Sequence, residues 1–155
     1  MIMIKVLAIF AILFTAVTTQ AQINQTKEIH TSQKFGNYTV HYNVFNSKNI
    51  PAEVANLYKL TRSKDIALVN ISLTKTESGV TSLGLPAKVS VKAVNLMQQV
   101  KALEFMEIKE PEATYYIAKF RHTNEEDIRF EVSVVPEGES KSLNVIFTRK
   151  LFTEN

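Results

Sequence analysis

Strict alternation of apolar and polar side chains constrains this chain more than any other feature of its sequence. It is clearest where Ile128, Phe130, Val132 and Val134 interleave with Arg129, Glu131 and Ser133. A period of two places successive side chains on opposite faces of an extended strand, one set in a core and the other in solvent. The same pattern sets Tyr38, Val40, Tyr42 and Val44 against Thr39, His41 and Asn43. It sets Ala67, Val69, Ile71 and Leu73 against Asn70, Ser72 and Thr74, and Val89, Val91 and Ala93 against Lys88, Ser90 and Lys92. Leu143, Val145, Phe147 and Leu151 repeat it near the C-terminus. Thr114 to Arg121 is apolar on both faces at its centre, as a central strand requires.

Turn signals punctuate these runs: Gly36-Asn37, Asn46 to Asn49, Glu77 to Pro86, Glu110-Pro111-Glu112, Asn124 to Asp127 and Pro136-Glu137-Gly138. Pro51 to Tyr58 reads as a short helix with Val54, Leu57 and Tyr58 on one side. Leu96 to Ile108 is ambiguous. Leu96, Val100 and Leu103 recur at helical spacing among good helix formers, whereas a turn at Gln98-Gln99 followed by a strand Ala102 to Ile108 suits the neighbouring pattern. The expectation is all-β: an Ig-like β-sandwich of about seven antiparallel strands with one short helix. The 155 residues, 45% hydrophobic, suit one globular domain, expected over residues 35–155.

The N-terminus has a different character. Lys5 precedes an almost unbroken apolar stretch, Val6 to Val17, and Thr18-Thr19-Gln20-Ala21 ends it. That order is that of a signal peptide over residues 1–21, cleaved after Ala21. The apolar stretch is shorter than the ~20 residues of a membrane-spanning helix. Residues 22–34 are polar and aperiodic, the expected flexible lead-in. The chain contains no cysteine, so the exported domain holds together without disulfides and has no thiol for lipid attachment. A periplasmic location follows as the expectation, with no stable membrane anchor after cleavage.

The same composition removes several chemistries. A nucleophilic cysteine is impossible, and no Gly-x-Ser-x-Gly turn exists to present a catalytic serine. His30, His41 and His122 are never paired at zinc-ligand spacing. The net charge of +3, with both signs interspersed, leaves no basic run for nucleic acid. No cofactor or metal is expected. Two weaker features remain. If the first two strands are neighbours, His41, Asn43, Asn70 and Ser72 form a polar surface patch that is either ligand-facing or an ordinary sheet exterior. Glu110, Glu112, Glu137 and Glu139 fall at one end in an up-and-down strand order, but the spacing of a calcium loop is absent.

Certain segments taken together are familiar: Phe35-Gly36-Asn37-Tyr38 with Val40-His41-Tyr42 and Phe45-Asn46-Ser47, then Ala67-Leu68-Val69-Asn70-Ile71-Ser72. Tyr115-Tyr116-Ile117-Ala118, Asn124-Glu125-Glu126, Arg129-Phe130, Pro136-Glu137-Gly138 and Phe147-Thr148 continue the likeness. The chain resembles an uncharacterised family of Gram-negative exported proteins described as a domain of unknown function with an Ig-like β-domain. The resemblance favours the hairpin at Gln98-Gln99 and implies no enzymatic activity.

The functional expectation is a periplasmic, non-catalytic binding or protein-interaction module whose partner is an unknown protein or small-molecule ligand of the envelope. The alternative is a hydrolase or ligand-processing enzyme centred on His41, which needs a carboxylate in hydrogen-bond reach of that ring. A periplasmic assembly chaperone ranks last, because the usual plan needs two sandwich domains.

Overall fold

The computed structural model describes residues 29–153. The expected signal peptide, residues 1–21, and the first part of the lead-in, residues 22–28, lie outside the described residues. The chain runs β1 (Ser32–Phe35), β2 (Tyr38–Asn46), a 3-10 turn (Ser47–Asn49), α1 (Ala52–Leu57), β3 (Ile66–Glu77), β4 (Val80–Thr81) and β5 (Ala87–Val94). It continues through β6 (Val100–Leu103), β7 (Phe105–Lys109), β8 (Thr114–Arg121), β9 (Glu126–Pro136) and β10 (Leu143–Leu151). The larger sheet has the order β1-β2-β3-β8-β7, with β4 paired to β3, and the smaller has the order β10-β9-β5-β6. All pairings are antiparallel.

The alternating residues do what their period demands. Val40, Tyr42, Val69, Ile71 and Leu73 of the larger sheet face Val91, Phe130, Val132, Val134 and Val145 of the smaller, in one buried core. An aromatic chain runs through it. Tyr42 stacks on Phe147 at 4.4 Å between ring centroids, Phe147 stacks on Phe130 at 5.2 Å, and Phe130 meets the edge of Phe120 at 5.9 Å. Tyr42 and Phe120 belong to the larger sheet, Phe147 and Phe130 to the smaller, so the chain of rings ties the layers together twice. Tyr116 adds a polar tie, its hydroxyl accepting from Ala87 N of the opposite sheet at 2.7 Å and donating to Glu107 Oε1 at 3.3 Å.

The expected sandwich with one short helix stands, with differences in detail. Ten strands replace about seven. Part of the expected lead-in is strand, because Gly36, at φ +58°, opens a two-residue turn that folds Ser32–Phe35 back on Tyr38–His41. Leu96 to Ile108 holds the hairpin: Val94 opposes Val100. Asn95 braces the turn, its Oδ1 accepting from Gln99 N at 2.9 Å. The strand expected over Ala102 to Ile108 breaks at Glu104, where the chain leaves the smaller sheet and joins the larger. The helix turns a different face inward than its spacing suggests. Leu57 is 72% exposed, and Ala55 is the buried residue. Its end explains this: Lys59 takes φ +52°, Lys59 N bonds to Asn56 O, and Leu60 N bonds to Ala55 O at 2.8 Å. This left-handed cap turns Leu60 back under the helix beside Ala55.

One approach in the loop after β4 admits only glycine. A Cβ on Gly84 collides with the backbone carbonyl of Thr114, while Thr114 N bonds to Gly84 O at 2.8 Å. That contact pins the loop to the start of β8.

Burial holds the Tyr116 hydroxyl above the usual phenol range, opposed in part by the Ala87 amide and aided by the neighbouring Glu107 carboxylate. The raised value favours the neutral phenol in the fold, so its share of stability is complete below pH ~10 and is lost as pH rises through the folded-state value. Tyr116→Phe leaves Ala87 N unpaired and is expected to cost about 1–2 kcal/mol at neutral pH. Thermal melts from pH 8 to 11 should show a smaller alkaline loss in the variant than in the parent.

Candidate functional site

The outward face of the larger sheet carries the residues that the alternation turns away from the core. Antiparallel register places His41 opposite Ser72 and Asn43 opposite Asn70, so the four residues of the expected patch are direct neighbours. Thr39 opposes Thr74 one step up, and Phe45 opposes Leu68 one step down. Along β2 and β3 the face therefore changes from polar to apolar within one strand length.

The apolar half is roofed. Ala55 and Leu60, at and after α1, pack on Leu68, with Phe45, Ile50, Tyr58, Met106 and Ile117 around them. Asn46 and Ser47 anchor this layer: Asn46 Nδ2 donates to Lys64 O at 2.8 Å and Ser47 Oγ to Ser63 O at 3.0 Å. The polar half stays open as a shallow depression of about 230 Å3 lined by Thr31, His41, Tyr42, Asn43, Asn70 and Ser72. Asn70 sits where the two halves meet, beside the roofed Leu68.

Within the depression the polar groups are neutral hydroxyls and amides with one imidazole. His41 Nε2 lies 2.9 Å from Thr74 Oγ1, and no carboxylate bonds to the ring among the described residues. Asn70 Oδ1 is fully buried and accepts no hydrogen bond among the described residues. A buried acceptor left in this state costs about 1–3 kcal/mol. The depression offers a ligand the Ser72 hydroxyl and the Asn43 amide, while Asn70 Oδ1 lies beneath its surface and is reached only when a neighbouring side chain moves aside. It holds no nucleophile–base–carboxylate set.

The remaining expectations fall elsewhere. His30 is exposed and uses its backbone oxygen, accepting from Arg149 Nη2 at 2.5 Å. His122 is buried, its Nδ1 2.8 Å from Thr123 O. Glu110, Glu137 and Glu139 do meet at one end, where with Glu107, Lys88 and Lys109 they line a depression of about 680 Å3. The strand order that brings them there is not up-and-down, since β8 and β9 lie in different sheets. Tyr38 and Tyr58 hydroxyls donate to Glu139 and Glu110, and the Glu110 interaction supports, after desolvation, a raised Tyr58 phenol. Among the described residues no group of three His, Cys, Asp or Glu is placed to hold a metal ion. Sequence reasoning missed Thr31 and Thr74 as neighbours of the patch. Alternation along β3 points to Thr74 as the next outward residue, whereas Thr31 arrives only through the unforeseen β1.

Replacing Asn70 by leucine removes the orphaned acceptor and extends the apolar surface of Leu68 and Ile117. Asn70→Leu is expected to leave stability unchanged or raise it by about 1 kcal/mol, read as a melting shift of a few degrees. A fall of similar size would show the amide to be satisfied.

A family model described as a domain of unknown function, DUF4426, matches residues 32–154. The crystal structure of a DUF4426 family protein from Pseudomonas aeruginosa PAO1 superposes with a TM-score of 0.68 at 31% identity, covering 80% of this chain and 95% of that one. A copper-bound variant of FetP from uropathogenic Escherichia coli strain F11 gives a TM-score of 0.56 at 10% identity, covering 79% of this chain and 95% of its own. FetP as isolated, from protein expressed recombinantly in the periplasm of E. coli, gives 0.55 at 11% identity, covering 80% and 94%. At these identities the likeness to FetP is one of fold. No curated protein matches.

Proposed function

The chain belongs to the DUF4426 family, and from that footing we propose that it is an exported, non-catalytic binding module that holds a small uncharged ligand in the polar depression of its larger sheet. The observation that carries this is a depression lined by neutral donors and acceptors, with Asn70 Oδ1 just beneath its surface and without a hydrogen-bond partner among the described residues. Evolution of a stable exterior has no use for such an atom, whereas a binding site gains specificity from a polar group that only the right ligand satisfies. The absence of charge in the lining favours hydroxyl- or amide-bearing ligands over ions.

The periplasm is the proposed compartment. Lys5, the apolar run Val6 to Val17 and the small residues ending at Ala21 support export, and a cysteine-free domain suits a bacterial envelope. One structure sharing the fold comes from protein expressed in that compartment. The copper of the FetP variant is not carried over to this reading, since no group of three His, Cys, Asp or Glu among the described residues is placed to hold a metal ion. The hydrolytic alternative draws no support from His41, whose ring nitrogen meets a threonine hydroxyl where a base needs an orienting carboxylate.

Thermal-shift measurements with a panel of neutral mono- and disaccharides and short amides test the reading. A ligand at a hundred times its dissociation constant adds about 2.7 kcal/mol, and Asn70→Leu should abolish that gain while keeping the fold. A panel that shifts nothing, or a shift that survives Asn70→Leu, removes this site from consideration. Ester or amide hydrolysis lost in His41→Ala would replace the proposal with the enzymatic one.

A further inference from the structure

Four strands terminate the two sheets: β1 and β6 with 4 residues each, β7 with 5 and β10 with 9. The edges at β6 and β7 are joined by the chain itself, which crosses between sheets at Glu104. β10 is different, pairing with β9 without a break from Leu143 to Leu151.

The phase of that ladder follows from one bond beyond its neighbour. Glu137 N donates to Pro86 O at 3.1 Å, just past the pair Ala87–Pro136, which is therefore a non-hydrogen-bonded pair. Counting back along β9, Arg129, Glu131 and Ser133 exchange bonds with β5, while Ile128, Phe130, Val132 and Val134 exchange them with β10. Opposite the second set stand Arg149, Phe147, Val145 and Leu143. The peptide groups of Asn144, Ile146, Thr148 and Lys150 consequently point away from the sheet. None of them has another backbone partner among the described residues. Thr148 O accepts from Arg149 Nη1 at 2.9 Å and keeps a second lone pair.

We propose that β10 is a self-association edge, on which the β10 strand of a second copy of this chain pairs antiparallel about Phe147. The strand is self-complementary, which makes a second copy of this chain its partner. Centring on Phe147 overlaps the whole strand and sets Asn144 against Lys150 of the second copy, Val145 against Arg149, and Ile146 against Thr148. No like charges oppose one another. Outward peptides meet outward peptides, as pairing demands. The side chain of Ile146, 67% exposed, becomes the diagonal neighbour of its own symmetry mate, within reach for apolar contact. The two smaller sheets would join as one, leaving the polar depression of the larger sheet outside the contact. This inference is independent of the proposed ligand site.

Sedimentation equilibrium on protein purified after expression of the full-length chain is the test. The expected result at about 100 μM is a dimer. Ile146→Lys preserves the backbone bonds but sets two cations side by side, and should weaken dimerisation at least tenfold with unchanged circular dichroism. Ile146→Pro, which removes an outward N–H that β9 does not use, should act likewise. The natural chain has no cysteine, so the double variant Ile146→Cys, Thr148→Cys reports the register. Opposed residues of a hydrogen-bonded pair lie about 5.5 Å apart at Cα, within disulfide range, and oxidation should give a covalent dimer. A monomer at this concentration overturns the proposal, as does a dimer that Ile146→Lys leaves equally tight.

Discussion

Cohesion between the two sheets depends on the line of rings Tyr42, Phe147, Phe130 and Phe120, which passes from one layer to the other and back. A domain of this size without a disulfide relies on apolar burial and on such contacts, each adding about 0.5–1.5 kcal/mol beyond the area that it covers. The alternation in β2, β8, β9 and β10 delivers these rings to one plane, and the small residues Ala93 and Ala118 are buried in the same core. Tyr116 shows that the interface is not purely apolar: one hydroxyl satisfies an amide of the opposite sheet at the rim.

Once the inner faces are committed, the outer faces are free to differ. The larger sheet divides its exterior. The segment between β2 and β3 folds a short helix over Phe45, Leu68, Ile117 and Met106, and leaves the residues further up the strands open. Asn70 lies on that boundary, close enough to the roof to lose its water and far enough from it to find no partner. Among the described residues the smaller sheet has no such roof, and its terminal strand pairs with β9 without a break.

Edges are managed unevenly around the sandwich. On one side the chain itself bridges the layers by switching sheets at Glu104. On the other, β10 lies beside the start of β1, and Arg149 spans the gap with its guanidinium over the Phe147 ring, 4.9 Å from the centroid, and on to His30 O. Desolvation in that position lowers the Arg149 pKa, with an opposing contribution from Tyr42. An inward-pointing cation closes the core beneath the edge, while the outward peptide groups of β10 have no backbone partner among the described residues.

The sequence by itself determined the fold class, the positions of the principal strands and the faces that they bury, because a period of two fixes side-chain direction without knowledge of any neighbour. It also determined that His41 and Asn43 share one face, and that Asn70 and Ser72 share one on the following strand. Only the tertiary structure decided that those faces adjoin in register, because pairing depends on which strands meet. It alone showed the roof over Leu68, whose helix turns Ala55 inward through a left-handed cap at Lys59, a residue that carries no glycine signal. The same holds for the strand change at Glu104 and the lone acceptor of Asn70. Each arises from what packs above or beside a residue, and strand periodicity says nothing about that second layer.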